Sequence, residues 1–151
     1  MALDDDIAIL AAAPVFGFLD RDALRLLTFA GERRELAEGE TLFRRGDRTD
    51  GGYVVMSGRI ALRPHGKVAE PVVAGQSAVI GRNALFLLGT RPSDAVAAAP
   101  SEVMRITPTL MSRVLKEFPD AALAIREAIA DDLAELIEGL GRVRAKLAPS
   151  A

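Results

Sequence analysis

Residues 39–58 read GETLFRRGDRTDGGYVVMSG, and this stretch decides the fold class. Its glycines separate short pieces rich in β-branched and aromatic residues, a pattern typical of strands joined by tight turns. The same glycine punctuation extends over the whole region from Glu32 to Ile106. The predicted strands are Arg33–Leu36, Thr41–Phe43, Tyr53–Met56, Arg59–Leu62, Val68–Val73, Ala78–Ile80, Asp94–Ala97 and Glu102–Ile106. Short strands at this even spacing predict a mainly β fold, an antiparallel β-roll.

Helical patterns precede the roll and interrupt it once. Asp4–Ala12 is predicted to be a helix because its aspartates complement the positive end of a helix dipole. Asp20 is predicted to cap a second helix over Arg21–Ala30, where apolar residues recur at helical spacing. Inside the roll, Asn83–Leu88 predicts a short inserted helix that ends at Gly89 as a left-handed C-cap.

Helical spacing returns after residue 107. A first helix contains Leu110 and Leu115, and a longer one is predicted from Asp120 to Leu147. The longer helix carries an apolar seam in alternating steps of four and three, at Ile129, Leu133, Leu136, Leu140, Val143 and Leu147. Such a seam either packs on the roll or pairs with its twin in a second chain. Strict heptad spacing favours the homodimer.

The length and the charge limit the classes of protein that fit. The 151 residues accommodate one domain, with N-terminal helices over 1–31, the roll over 32–107 and C-terminal helices over 108–147. Lys and Arg total 19 against 21 Asp and Glu, a net charge of −2 that disfavours binding of DNA by bulk charge. The acidic N-terminus does not resemble a secretory leader, and no apolar run approaches a membrane span. A cytoplasmic protein is therefore expected.

The composition lacks the residue types that many catalytic and metal sites need. With no cysteine, disulfides, iron–sulfur ligation and thiol catalysis are excluded. The single histidine, His65, falls in a predicted hairpin tip, and a metal-dependent enzyme on a similar roll would need clustered histidines. Haem sensing is disfavoured for the same reason. We therefore predict no catalytic residue, no metal site and no cofactor.

Two glycine-rich stretches together resemble one known family. Residues 39–47, GETLFRRGD, look like the turn, strand and turn signature of the cyclic nucleotide-binding domain of catabolite activator proteins, cyclic-nucleotide-dependent kinases and gated channels. Residues 50–58, DGGYVVMSG, look like the strand and tight turn that follow in that family. The resemblance extends over roughly Phe16 to Leu136. The same glycines would also serve as turn residues in a roll that binds no ligand.

The resemblance implies a ligand cassette at residues 81–96. In the family, a Gly-Glu pair opens a short helix, and an arginine about nine residues after the glutamate pairs with the cyclic phosphate. Gly81 and Arg91 match this pattern, and a helix N-terminus with a forked arginine donor suits a phosphate. The predicted ligand-binding residues are Gly81, Arg82, Asn83, Ala84, Arg91, Pro92 and Ser93. The implied ligand is cyclic AMP or cyclic GMP.

The cassette departs from the family pattern at two positions. Arg82 stands where a glutamate would accept the ribose hydroxyl, so the sign of the charge is reversed. Pro92 follows the arginine and has no N–H to donate to the phosphate. Two arginines at this place could instead hold a linear phosphate, a dinucleotide or a carboxylate. Alternatively, Arg82 pairs with a carboxylate such as Asp94 and the pocket is closed.

These observations predict a regulatory module that is not an enzyme and that binds a small anion. Regulators of the catabolite-activator type carry a helix-turn-helix after the long helix, whereas only residues 148–151 follow Leu147 here. We therefore expect a stand-alone sensor that acts through an unidentified downstream protein. The alternative is a ligand-free interaction or scaffold protein that uses its C-terminal helix to bind a partner.

Overall fold

The computed structural model describes residues 2–64 and 71–127. The N-terminal part holds α1 (Ala2–Ala11), a 3-10 turn (Phe16–Phe18) and α2 (Arg21–Ala30). The described strands are β1 (Glu32–Leu36), β2 (Thr41–Phe43), β3 (Gly52–Ser57), β4 (Ile60–Pro64), β5 (Val72–Ala74), β6 (Val79–Ile80), β7 (Ser93–Ala97) and β8 (Ser101–Ile106). A 3-10 helix (Arg82–Leu85) separates β6 from β7, and α3 (Pro108–Glu117) follows β8. Residues 119–127 are also helical and are called α4.

The strands form two antiparallel sheets, which confirms the predicted β-roll. One sheet has the order β1-β8-β3-β6, and the other has the order β2-β7-β4-β5. β1 pairs with β8 from Glu32 opposite Arg105 to Leu36 opposite Ser101. β3 pairs with β8 on its other side, with Val55 opposite Val103. Each sheet is therefore built from segments that lie far apart in the sequence.

β3 is buried on both of its faces and joins two apolar clusters. Tyr53 and Val55 belong to the cluster between the two sheets. Val54 and Met56 point the other way, into a cluster with the helices. Alternate residues of a strand lie on opposite faces, so the continuous apolar run of β3 is explained by burial on two sides.

Side-chain caps fix where two of the helices begin. The Asp20 carboxylate accepts a hydrogen bond from the Ala23 N–H at 2.9 Å, which confirms the predicted cap of α2. Thr107 caps α3 in the same way, with its hydroxyl accepting from the Leu110 N–H at 3.1 Å. These bonds satisfy N–H groups that the first turn of a helix leaves unpaired.

The inserted helix is shorter than the sequence predicts. It is a 3-10 helix over Arg82–Leu85, and Gly89 is not its cap. Phe86 is the C-cap residue instead. Gly89 is held by Thr49, whose hydroxyl accepts the Gly89 N–H at 2.8 Å and whose N–H donates to the Gly89 carbonyl at 2.9 Å. Long-range pairing therefore replaces the predicted local cap.

Several sequence-based predictions fall outside the described residues. These are His65, the first part of the strand predicted at 68–73, and the seam residues Ile129, Leu133, Leu136, Leu140, Val143 and Leu147. The predicted long helix is described only over 119–127. In the described ranges, no helix has the length and apolar character needed to cross a membrane.

Two turn glycines in the opening stretch allow a direct test of the roll. Gly39 and Gly58 have φ of 85° and 88°, in the left-handed region. A Cβ on Gly39 would meet no atom within 4 Å, whereas a Cβ on Gly58 would lie 2.5 Å from the Pro100 carbonyl oxygen. We expect Gly39→Ala to lower the free energy of unfolding by about 1–2 kcal/mol from backbone strain alone. Gly58→Ala adds a clash with backbone and should cost about 2–5 kcal/mol in all.

Urea denaturation of the two variants measures this difference. Gly39→Ala is the matched control, since it has the same backbone conformation without the steric contact. Equal losses for the two variants would contradict the described packing of the β3–β4 turn against residues 100–101.

Candidate functional site

A cavity of about 500 Å³ lies between the roll and the 81–93 segment. Its lining consists of Phe43, Thr49, Leu62, Ile80, Gly81, Asn83, Ala84, Leu87, Leu88, Gly89, Thr90, Arg91, Pro92 and Ser93. All of the predicted ligand-binding residues except Arg82 are among them. The volume is within the range of small-molecule sites.

The backbone of the cassette is held by the opening stretch of the sequence. Arg48 and Thr90 form an isolated antiparallel bridge. The Arg91 N–H donates to the Asp47 carbonyl at 2.8 Å, and the Gly46 N–H donates to the Arg91 carbonyl at 2.9 Å. The GD turn at 46–47 therefore sets the position of Arg91, a link that local sequence patterns do not reveal.

The Arg91 side chain is buried and stacked on two aromatic rings. Only 3% of the residue is exposed. The guanidinium carbon lies 4.3 Å from the centroid of the Phe43 ring and 5.3 Å from that of the Tyr53 ring. The faces of such rings attract a cation, and the attraction is stronger where water is excluded. These rings offset part of the cost of keeping a charge inside the roll.

One nitrogen of Arg91 has protein partners and two have none among the described residues. Nη2 donates to the Gly51 carbonyl at 2.7 Å and to the Asp50 carboxylate at 3.0 Å. Nη1 and Nε are buried without a hydrogen-bond partner. A Cβ on Gly81 would lie 2.8 Å from Nη1, so the lack of a side chain lets the Gly81 turn approach the guanidinium. Buried donors without partners are costly and favour an acceptor that can reach them.

Asp50 connects this buried cation to the surface. Its second carboxylate oxygen accepts from Arg105 Nη1 at 3.0 Å, and Arg105 also pairs with Glu32. The hydrogen bond that Arg105 donates to Glu32 is the largest cause that raises the pKa of Arg105, and Asp50 adds to it. Burial raises the pKa of the Tyr53 hydroxyl, and the charge of Asp50 contributes to the same rise. Tyr53 is therefore kept neutral beside Arg91.

Asp50 is a residue of the site that the sequence patterns do not predict. Asp50 and Arg91 are 41 positions apart, and only the fold brings them together. A signal was nevertheless present, because Asp50 opens the DGGYVVMSG stretch on which the family resemblance depends.

The other predicted site residues occupy distinct places. Arg82 is exposed at the start of the 3-10 helix and does not line the cavity. Pro92 is exposed and Ser93 is half-buried, and both line the cavity. Asp94, the suggested carboxylate partner of Arg82, accepts a hydrogen bond from the Arg45 N–H at 2.7 Å. Within residues 2–64 and 71–127, no group of three His, Cys, Asp or Glu residues could hold a metal ion.

Comparison with solved structures finds the same architecture in bacterial proteins. The N-terminal domain of a transcriptional regulator from Streptomyces coelicolor is 27% identical, with a TM-score of 0.80 over 87% of this chain and 94% of that chain. A cyclic nucleotide-binding-like protein from Brucella abortus is 36% identical, with a TM-score of 0.66 over 75% of this chain and 99% of that chain.

Sequence comparison finds a related segment in a much larger protein. The chain is 25% identical over 115 residues to lysophospholipase nte1 of Aspergillus niger, which covers 74% of the chain but only 8% of the lysophospholipase. The family model for the cyclic nucleotide-binding domain matches residues 33–118, which include the roll, the cavity and α3. The chain therefore belongs to the cyclic nucleotide-binding domain family.

Proposed function

We propose that this protein is a non-catalytic regulatory module that binds a small phosphate-bearing or other anionic ligand at the Gly81–Ser93 cassette. One observation carries the proposal: Arg91 lines the cavity with two buried nitrogens, Nη1 and Nε, that have no partner in the described part of the chain. An anion would supply the missing acceptors through charge-assisted hydrogen bonds. Membership of a cyclic nucleotide-binding family supports the same location, and cyclic AMP and cyclic GMP are the first ligands to test.

Ligand binding at this place would have to move the turn at Gly81. Nη1 and Nε are shielded from solvent, and the Gly81 turn lies against Nη1. An acceptor that reaches these nitrogens therefore displaces the turn and the 3-10 helix that follows it. A ligand that binds the displaced arrangement more tightly shifts the population toward it.

Leu85 offers a path from the turn to the C-terminal helices. It is the last residue of the 3-10 helix and is fully buried in the cluster that contains Met111 and Val114 of α3. On its other side it packs closely on the backbone of Gly52 in β3. Packed cores respond to displacement in discrete steps, so a shift of Leu85 would alter the position of α3 on the core. The response would pass from there to a downstream protein.

A second candidate function has one observation in its favour. Asp50 and the Gly51 carbonyl already bind Nη2, so part of the charge of Arg91 is matched inside the protein. A ligand-free scaffold would use Arg91 only to join the two sheets. That role leaves Nη1 and Nε unexplained, and for this reason we favour ligand binding.

The variant Arg91→Met separates the two candidates. Methionine can pack on the two rings, and Asp50 keeps Arg105 as a partner, so the variant should fold. We expect its free energy of unfolding to lie within about 1 kcal/mol of the parent or above it, because Asp50 is more than half exposed and keeps Arg105, so removal of Arg91 leaves no buried charge unpaired. In the parent, at least one of cyclic AMP, cyclic GMP and pyrophosphate at millimolar concentration should raise the melting temperature by several degrees.

The thermal response should be absent in Arg91→Met and retained in Arg82→Met, the matched control outside the cavity. Differential scanning fluorimetry and calorimetry measure both quantities. If no anion stabilises the parent and Arg91→Met is equally inert, the scaffold function replaces the proposed one.

We further propose that the working unit is a cytoplasmic homodimer that pairs through the seam from Ile129 to Leu147. The seam remains a prediction from the sequence. Charged residues at heptad core positions prevent pairing, so Leu133→Lys with Leu140→Lys should convert a dimer into a monomer. Sedimentation equilibrium gives the mass directly, and a parent that is monomeric at high concentration would refute the homodimer.

A further inference from the structure

We infer that the cavity takes an anionic group carried on an apolar body and that it has no carboxylate to hold a sugar hydroxyl. This inference rests on the proposed function, since it names the chemical class of the ligand at the same cassette. Three features support it: the single charged residue in the lining, the apolar side chains of the lining and two exposed leucines among them.

The charge lining the cavity comes from one residue. Among the described lining residues Arg91 is the only charged one, and neither Asp nor Glu is present. A ribose hydroxyl is held best by a carboxylate, which accepts a strong charge-assisted hydrogen bond. Arg82 stands where the family pattern places the glutamate, and it lies outside the lining. The cavity thus attracts an anion but offers no carboxylate to a sugar hydroxyl.

The remainder of the lining has four polar side chains, those of Thr49, Asn83, Thr90 and Ser93, and is otherwise apolar or glycine. Phe43, Leu62 and Ile80 come from the strands of the roll, and Ala84 comes from the 3-10 helix. An apolar body placed against these side chains loses water on both sides of the contact, which favours binding.

Two leucines at the end of the inserted segment line the cavity and are exposed to solvent. Leu87 and Leu88 line the cavity and are 73% and 75% exposed. Adjacent exposed apolar side chains of this size favour a covering surface. A ligand that pairs with Arg91 through its anionic end would extend its apolar part along the cavity toward them. The buried cation selects an anionic small molecule as the occupant.

A homologous series of phosphate monoesters tests this inference on the intact chain. Inorganic phosphate, ethyl phosphate, butyl phosphate and hexyl phosphate share the anionic end and differ only in apolar length. Calorimetry should show affinity rising two- to fourfold for each added methylene group, the gain expected for burial of apolar surface. Cyclic AMP and its 2′-deoxy analogue should bind with affinities within about threefold of each other.

Paired variants locate the apolar contact. Leu87→Ser should flatten the dependence of affinity on chain length, so that hexyl phosphate loses more affinity than inorganic phosphate does. Leu123→Ser is the matched control, because Leu123 is also exposed, at 57%, and does not line the cavity. It should leave the whole series unaffected. Arg91→Met should abolish binding of every member.

The outcomes distinguish failure of this inference from failure of the proposed function. If affinity does not rise with chain length, or if removal of the 2′-hydroxyl weakens cyclic AMP tenfold or more, the apolar-anion class is wrong while ligand binding at Arg91 stands. If no phosphate compound binds in an Arg91-dependent manner, both the inference and the proposed function fail.

Discussion

The buried guanidinium of Arg91 is the contact on which the arrangement of the site depends. Phe43 reaches it from one sheet and Tyr53 from the other, so a single side chain is packed between both halves of the roll. A charge in such a place is stable only when it is paired and hydrogen-bonded. Asp50 and the Gly51 carbonyl provide that pairing at one nitrogen. The loop before β3 and the cassette before β7 are therefore held in one relative position.

The same pairing links the interior to the edge of a sheet. Asp50 divides its two carboxylate oxygens between Arg91 and Arg105, and Arg105 continues to Glu32 on the edge strand β1. An acceptor that draws Arg91 toward the cavity weakens its bond to Asp50 and leaves that carboxylate more fully to Arg105. Asp50 is more than half exposed, so water screens this effect and keeps it modest. Leu85 and α3 share a buried cluster, so a displacement passed on through that contact would not be weakened by water.

A feature of this structure can be predicted from the sequence when the residues that form it lie close together in the chain. The Asp20 cap and the two strands on either side of Gly58 follow from local chemistry. Their sequence patterns therefore predict them correctly. The Gly89 cap was predicted by the same local logic and is wrong, because Thr49 from a distant loop binds both backbone groups of Gly89. Asp50 is not predicted from local patterns either, because only the fold brings it to Arg91. Family resemblance identified Arg91, since no local rule places an arginine 3% exposed inside a roll.

Whether Arg91 serves structure or ligand binding can be argued from its unused donors. A cation kept only for stability should have most of its donors satisfied: Arg105, which pairs with Asp50 and Glu32, leaves only Nε without a partner among the described residues, whereas Arg91 leaves two nitrogens. Arg91 has a planar, forked head group of which only Nη2 has a partner among the described residues, and the cavity that Arg91 lines has no acidic residue in its lining. An internal acceptor would have removed this cost, and none of the described residues supplies one. The arrangement is therefore poor as a purely structural element and well suited to an acceptor that arrives from outside.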